Sequence, residues 1–153
     1  FRLISMEDTR FLHCNIKTLN LIPSVIAYQR CMEQGCQETV FHRGDRVTEC
    51  AHSNILMIKD GVLCTPPRDN LILPGITLKH LLMLAEQNGI PTKEAPFTMQ
   101  ELAEADEVIV SSSGGLCTQA VELDGKPVGG KAPELLKKLQ DAYAAYYAED
   151  TKA

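Results

Sequence analysis

Asp60-Gly61, lying between the apolar runs 54–59 and 62–65, narrows the fold more than any other feature of the sequence. Asp-Gly suits the two positive-φ positions of a tight hairpin turn, so the two runs are expected to pair antiparallel in the middle of the chain. Asp124-Gly125 repeats the signal, and Arg43-Gly44-Asp45 turns between expected strands over 38–42 and 46–48. Further strands are expected over 2–6 and 107–110. Between them the sequence changes to helical spacing. Residues 21–34 carry Pro23 in the first turn, where a missing N–H does no harm, and Gly35 stands where the helix should end. Leu21, Ile22, Val25, Ile26 and Met32 supply an apolar face. A helix over 78–88 stops at Gly89, Thr98-Met99-Gln100-Glu101 is a capping box, and 133–148 closes the chain as an amphipathic helix. Strands and helices mixed without strict alternation predict an α/β (α+β mixed) domain.

At 153 residues the chain has the length of one domain. Its net charge of −5 and lack of a basic tract argue against nucleic-acid and anionic-membrane surfaces. No uncharged run approaches the ~18–20 apolar residues of a membrane span. The chain opens on Phe1-Arg2-Leu3-Ile4, already strand-like, and is expected to be the latter part of something longer. Arg2 and Glu7 interrupt any signal-peptide core. Six cysteines are too sparse for a stapled mini-domain and include no Cys-x-x-Cys pair, so no metal site is expected. They read as reduced thiols of a cytoplasmic protein, several of them small core residues.

Four places could carry chemistry, and each has an ordinary alternative. Lys17 could be a solvated lysine and Glu49 a surface acid at a strand end. Gly75-Ile76-Thr77 could be plain capping with Thr77 as the cap, and Ser111-Ser112-Ser113-Gly114-Gly115 a flexible loop. Together they have a coherent use. A helix start with free N–H groups binds a phosphate, and a hydroxyl- and glycine-rich strand end can close around the same anion. A lysine shielded from water can form an imine with an aldehyde, and a carboxylate facing a pyridine nitrogen keeps that ring protonated. Lysine, acid and phosphate cradle are what a pyridoxal phosphate site requires.

From about Arg10 onward the chain resembles the fold-type-IV, class IV aminotransferases, and within them the D-amino-acid (D-alanine) transaminases. The resemblance is carried by Cys14-Asn15-Ile16-Lys17-Thr18-Leu19-Asn20-Leu21, by Arg46-Val47-Thr48-Glu49 with Ser53-Asn54, and by Ile58-Lys59-Asp60-Gly61. It continues in Asn70-Leu71-Ile72-Leu73-Pro74-Gly75-Ile76-Thr77, Ala105-Asp106-Glu107-Val108 and Val121-Glu122-Leu123-Asp124-Gly125-Lys126-Pro127. It implies the large C-terminal domain of that fold, with residues 1–13 as lead-in strand and interdomain region, 14–153 as domain core, and the small N-terminal domain absent. The missing domain would supply the main phosphate anchor, so this portion by itself is expected to bind cofactor weakly and turn over poorly.

The resemblance implies roles by position. Lys17 would form a lysine aldimine with pyridoxal 5'-phosphate and shuttle the substrate proton, and Glu49 would meet the pyridine nitrogen. Leu73 would pack on the ring. Gly75, Ile76 and Thr77 would hold the phosphate, with Ser53, Ser112 and Ser113 around phosphate and substrate and Arg10 nearby. The implied reaction is transamination between a D-amino acid and a 2-oxo acid, in a cytoplasmic homodimer. Aminodeoxychorismate lyase-type or branched-chain aminotransferase activity on the same fold, and a non-catalytic domain, are the alternatives. Cys50-Ala51-His52 replace the family's glycine and serines, and Gly114-Gly115 replace bulkier polar residues. These departures put phosphate contacts and substrate preference in question.

Overall fold

Asp60 and Gly61 both take positive φ, 50° and 77°, as the centre of a two-residue hairpin turn demands. The computed structural model describes residues 1–150. In chain order its elements are β1 (Arg2–Glu7), α1 (Ile22–Glu33), β2 (Glu38–Arg43), β3 (Arg46–Cys50), β4 (Asn54–Lys59), β5 (Val62–Thr65) and α2 (Ile76–Gln87). There follow β6 (Thr92–Glu94), α3 (Met99–Ala103), β7 (Glu107–Ser111), β8 (Thr118–Ala120), β9 (Glu122–Leu123), β10 (Lys126–Pro127) and α4 (Pro133–Asp150). The mixed α/β class expected from the sequence is what the chain adopts.

Two five-stranded sheets form, in the orders β10-β9-β1-β2-β3 and β6-β5-β4-β7-β8. Both are mixed. β1 runs parallel to β2 and β9, and β5 parallel to β6, while the hairpins are antiparallel. Leu3, Val40 and Val47 from the first sheet meet Ile55, Met57, Val108 and Val110 from the second in one core cluster. The opposite face of the second sheet presents Leu56, Ile58 and Ile109 to Leu78, Leu81 and Leu82 of α2 and to Leu136 and Leu139 of α4. Strands buried on both faces need apolar side chains at every position, so β4 and β7 read as continuous apolar runs. All six cysteines are buried thiols. Among the described residues no helix is long and apolar enough to cross a membrane.

The apolar face of the first helix points away from the sheet. Leu21, Ile22, Val25, Ile26 and Met32 are all exposed, Ile22 by 70%. Ser24, Ala27 and Cys31 are buried instead. Their small side chains let α1 lie close on the sheet, where Ala27 meets Phe41 and Cys31 meets Ile4. Apolar spacing marks a stripe on a helix, but not which stripe a sheet will cover. The second helix also starts earlier than expected. Gly75 is its N-cap with no side-chain cap, and Thr77 lies inside the helix, buried. Gly35 and Gly89, at φ of 68° and 71°, end α1 and α2 where expected.

Glu107 is fully buried at the start of β7 and serves as a distant cap for α4. Its carboxylate accepts from Ala132 N at 2.9 Å, Gly130 N at 3.1 Å and Gln119 Nε2 at 2.9 Å. Truncation leaves a void at a fully buried position and takes the acceptor away from three donors at its edge. Glu107→Ala is therefore expected to lower unfolding stability by about 2–4 kcal/mol, read from urea midpoints, and Glu107→Gln by about half as much.

Candidate functional site

The two sheets join where β3 hands over to β4. Cys50 N donates to Ser53 O at 2.8 Å and Ala51 N to Thr39 O at 3.0 Å, so the chain reverses within a few residues. This turn sets Glu49, near the end of β3, beside Asn54 at the start of β4. Ser111 ends β7 directly opposite Asn54 in the ladder. The segment before α2 crosses the same strand ends, and the irregular stretch between β1 and α1 closes the other side. Cys14 N to Asn70 O, at 2.9 Å, ties those two segments together.

A cavity of about 250 Å³ lies between them. Arg10, Lys17, Glu49, Ser53, Leu73, Gly75, Ile76, Thr77, Ser112 and Ser113 all line it, so the ten residues singled out in the sequence converge on one place.

Glu49 is buried at its floor, 5% exposed. One carboxylate oxygen pairs with Arg10 Nη1, and the other accepts from Leu73 N at 3.0 Å and Asn54 Nδ2 at 3.2 Å. Burial pushes the carboxyl up to about 7 even against the pull of Arg10 and the Leu73 N–H. Asn54 also donates to Leu73 O at 2.8 Å. It is a site residue that the sequence reading passed over, although it stands next to Ser53 in the quoted motif.

Arg10 lines the cavity, but its donors face the protein. Nε and Nη2 reach Asp8 at 2.9 Å each, Nη2 also reaches Leu71 O at 3.2 Å, and the guanidinium lies 4.8 Å from the Phe41 ring centre. Ser53 is likewise turned away, since its hydroxyl donates to Glu38 Oε2 at 2.9 Å. His52 has its Nδ1 4.0 Å from Glu38 Oε1, and its ring meets Tyr28 edge-on at 4.7 Å. Lys17 is exposed, so the shielding from water expected for it is not provided by the described residues. The reason is its position in an irregular segment whose apolar side chains Ile16 and Leu19 are themselves 56% and 96% exposed.

Another wall of the cavity offers hydrogen-bond donors. Lys79 N makes the first intrahelical bond of α2, to Gly75 O at 3.1 Å, so the N–H groups of Ile76 and Thr77 precede the helical ladder. Ser112 Oγ accepts from Gly115 N at 3.0 Å, which leaves its own proton to donate. The buried Ser111 Oγ has no hydrogen-bond partner among the described residues. An orphaned hydroxyl on a cavity wall is a polar group waiting for a ligand.

The amino-transferase class IV family model matches residues 3–123. The chain is 46% identical over 148 residues to the D-alanine aminotransferase of Listeria monocytogenes serotype 4b (strain F2365), covering 96% of this chain and 50% of that protein. It is 43% identical over 144 residues to the D-alanine aminotransferase of Staphylococcus aureus (strain COL), covering 94% and 51%. Of solved structures, the branched-chain amino acid aminotransferase of Escherichia coli matches with a TM-score of 0.83 at 27% identity, over 94% of this chain and 50% of that one. A hypothetical aminotransferase from Mycobacterium tuberculosis in its PLP-bound form matches at 0.83 and 20% identity, over 95% and 56%, which speaks for the fold alone. The chain spans about half the length of the curated relatives it matches.

Proposed function

This chain belongs to the class IV aminotransferases, and we propose that it carries the pyridoxal phosphate site of an enzyme that transaminates between a D-amino acid, D-alanine in type, and a 2-oxo acid. The observation that carries the reading is one cavity holding a lysine, a buried carboxylate and an uncapped helix N-terminus. The relatives named D-alanine aminotransferase support the substrate class. We further assign residues 1–153 as a single cofactor-binding domain, with residues 1–13 leading into it, of a cytoplasmic homodimer.

The residues fit the group. The Ile76 and Thr77 N–H groups and the Ser112 hydroxyl are donors for a phosphate, and Ser111 Oγ has a bond still to make. Gly75 allows the wall to close: a Cβ there would stand 2.4 Å from Asn54 Oδ1. When bound, pyridoxal phosphate supplies an aldehyde for covalent capture of amines and a ring that accepts electrons. The protein's own groups do the rest. Lys17 lines the cavity and would be the amine that holds the aldehyde, and its Nζ, when free, would be the base placed to carry the substrate α-proton. Glu49, with its carboxyl near 7, would be the group placed to keep a basic ring nitrogen protonated and to accept its hydrogen bond. Leu73 holds Glu49 through its N–H, and its side chain, which lines the cavity, would pack on the ring. Arg10 lines the cavity and pairs with Glu49.

Turnover of the full-length protein on both enantiomers of an amino-acid panel tests the reading. D-alanine with a 2-oxo acid acceptor is expected to release pyruvate, L-alanine and L-branched-chain amino acids to be poor donors, and aminodeoxychorismate to yield no pyruvate. Preference for an L-amino acid, or lyase release of pyruvate, overturns the assignment. Gly75→Ala carries a second expectation. The backbone there is ordinary, with φ −63° and ψ 148°, so only the clash with Asn54 acts. Displacing Asn54 removes a donor from Glu49, and cofactor affinity by absorbance titration should fall about tenfold, ~1.4 kcal/mol.

A further inference from the structure

Resting on the reading above, we propose that Asp8 is a positioning residue: it divides the charge of the Arg10 guanidinium between itself and Glu49, and so sets how strongly Glu49 accepts a hydrogen bond from the cofactor ring. Asp8 sits just past the end of β1, its side chain fully inaccessible to solvent. Its two oxygens grip Arg10 as a fork, Oδ1 on Nε and Oδ2 on Nη2, each at 2.9 Å. Oδ2 also accepts from Arg43 Nε at 3.2 Å and from the Thr48 hydroxyl at 3.0 Å. Glu49 takes only Nη1 of the same guanidinium.

Two buried carboxylates therefore share two cations in the line Arg43–Asp8–Arg10–Glu49, and the division is unequal. Burial would push both carboxyls up. Asp8, with two Arg10 donors and Arg43, is held below its ordinary value, whereas Glu49 stays raised to about 7. A fork fixes orientation as well as charge. Asp8 thus fixes the guanidinium plane and withholds part of its field from Glu49. The other groups bordering the line are the thiols of Cys14 and Cys50, both raised by burial, with Glu38 beyond Cys50, and the uncharged donors Asn54 and Leu73 N–H on Glu49. Nothing else charged reaches either carboxylate among the described contacts.

Asp8 acts through Arg10 and does not reach the cavity, so its signature is electrostatic. The experiment is a carbon-13 carboxyl titration of Glu49 in the full-length protein freed of cofactor, in wild type, Asp8→Asn and Arg43→Gln, followed by titration of the near-visible absorbance after loading with pyridoxal phosphate. Asp8→Asn releases Arg10 to Glu49, and the Glu49 titration is expected to move down by about one pH unit. Arg43→Gln leaves Asp8 dependent on Arg10 alone, and the titration is expected to move up. In the Arg10→Gln background, Asp8→Asn should move Glu49 by less than half as much. In the loaded protein the absorbance titration should follow the same signs. Movement of both variants in one direction, no movement, or an undiminished Asp8→Asn effect without Arg10 overturns the proposal. If Asp8→Asn does not fold, the upward shift in Arg43→Gln decides, since Arg43 is the partly exposed end of the line. A wild-type protein that takes up no pyridoxal phosphate overturns the proposed function, and the cofactor-free titration still judges the role of Asp8.

Discussion

Lys17→Ala is expected to lower transaminase turnover of the full-length protein by at least ~10³ while leaving its fold intact. The size follows from the double duty proposed for the side chain, covalent capture of the aldehyde and transfer of the α-proton, neither of which alanine can perform. Stability should hardly change. Lys17 is exposed, and the segment around it is held by bonds that do not involve its side chain. Asn70 Nδ2 reaches Leu12 O at 2.9 Å, Arg43 Nη2 reaches the carbonyls of Arg10 and Phe11 at 3.0 and 3.2 Å, and Cys14 N reaches Asn70 O. An exposed substitution of this kind shifts unfolding by no more than about 0.5 kcal/mol. Borohydride reduction of the loaded wild type, followed by peptide mass mapping, should place the cofactor adduct on Lys17. An adduct on another lysine, or turnover within tenfold of wild type, would sink the assignment.

Glu49→Gln is expected to reduce turnover by about 10²–10³, with a smaller change in substrate KM. Glutamine presents one acceptor oxygen where Glu49 serves Arg10, Asn54 and Leu73 N, so at least one buried donor loses its partner. It also has no proton to give a ring nitrogen. The same residue governs a pH dependence of stability in the cofactor-free protein. Its carboxyl rises from an ordinary 4.5 to about 7 on folding. A raised value means the folded state binds the proton more tightly. The contribution is thus complete below pH 4.5 and is lost as pH rises through about 7. The fall amounts to about 3 kcal/mol at most. Asp8 acts with the opposite sign: held below its ordinary value, it stabilises at neutral pH and ceases to do so as the medium turns acid. Chemical denaturation across pH 4–8 should show the Glu49 decline in wild type and a flatter profile in Glu49→Gln. An unchanged slope in the variant assigns the decline to other groups.

The site and the fold were legible to different depths. Short-range signals survived folding because local backbone sterics decide them. The Asp60-Gly61 and Asp124-Gly125 turns, the capping box at Thr98 with Glu101, and the glycines that end α1 and α2 all formed as expected. The short strands β6 and β8 were missed, since three residues such as Thr92–Glu94 carry no periodicity of their own and exist only by pairing. The direction of the apolar face of α1 is likewise set by tertiary packing. Spacing shows that Ile22, Val25 and Ile26 share a stripe, but the sheet packs against the smaller Ser24, Ala27 and Cys31.

The ordered motifs, through their resemblance to a known family, pointed to that family and to the ten residues that line the cavity, while turn signals and helical spacing pointed to the mixed α/β class. Those signals sit within short segments, where each residue's neighbours in sequence define its chemistry. What each side chain faces was decided only in three dimensions. Arg10 turned out to serve Asp8 and Glu49, Ser53 to give its proton to Glu38, and Asn54 and Ser111 to belong to the site. Partners such as Arg10 and Glu49, or Glu49 and Leu73, lie 39 and 24 residues apart. No local pattern encodes such a pairing, because it arises from two sheets and a crossing segment meeting at their strand ends, and from the demand that buried polar groups there find one another.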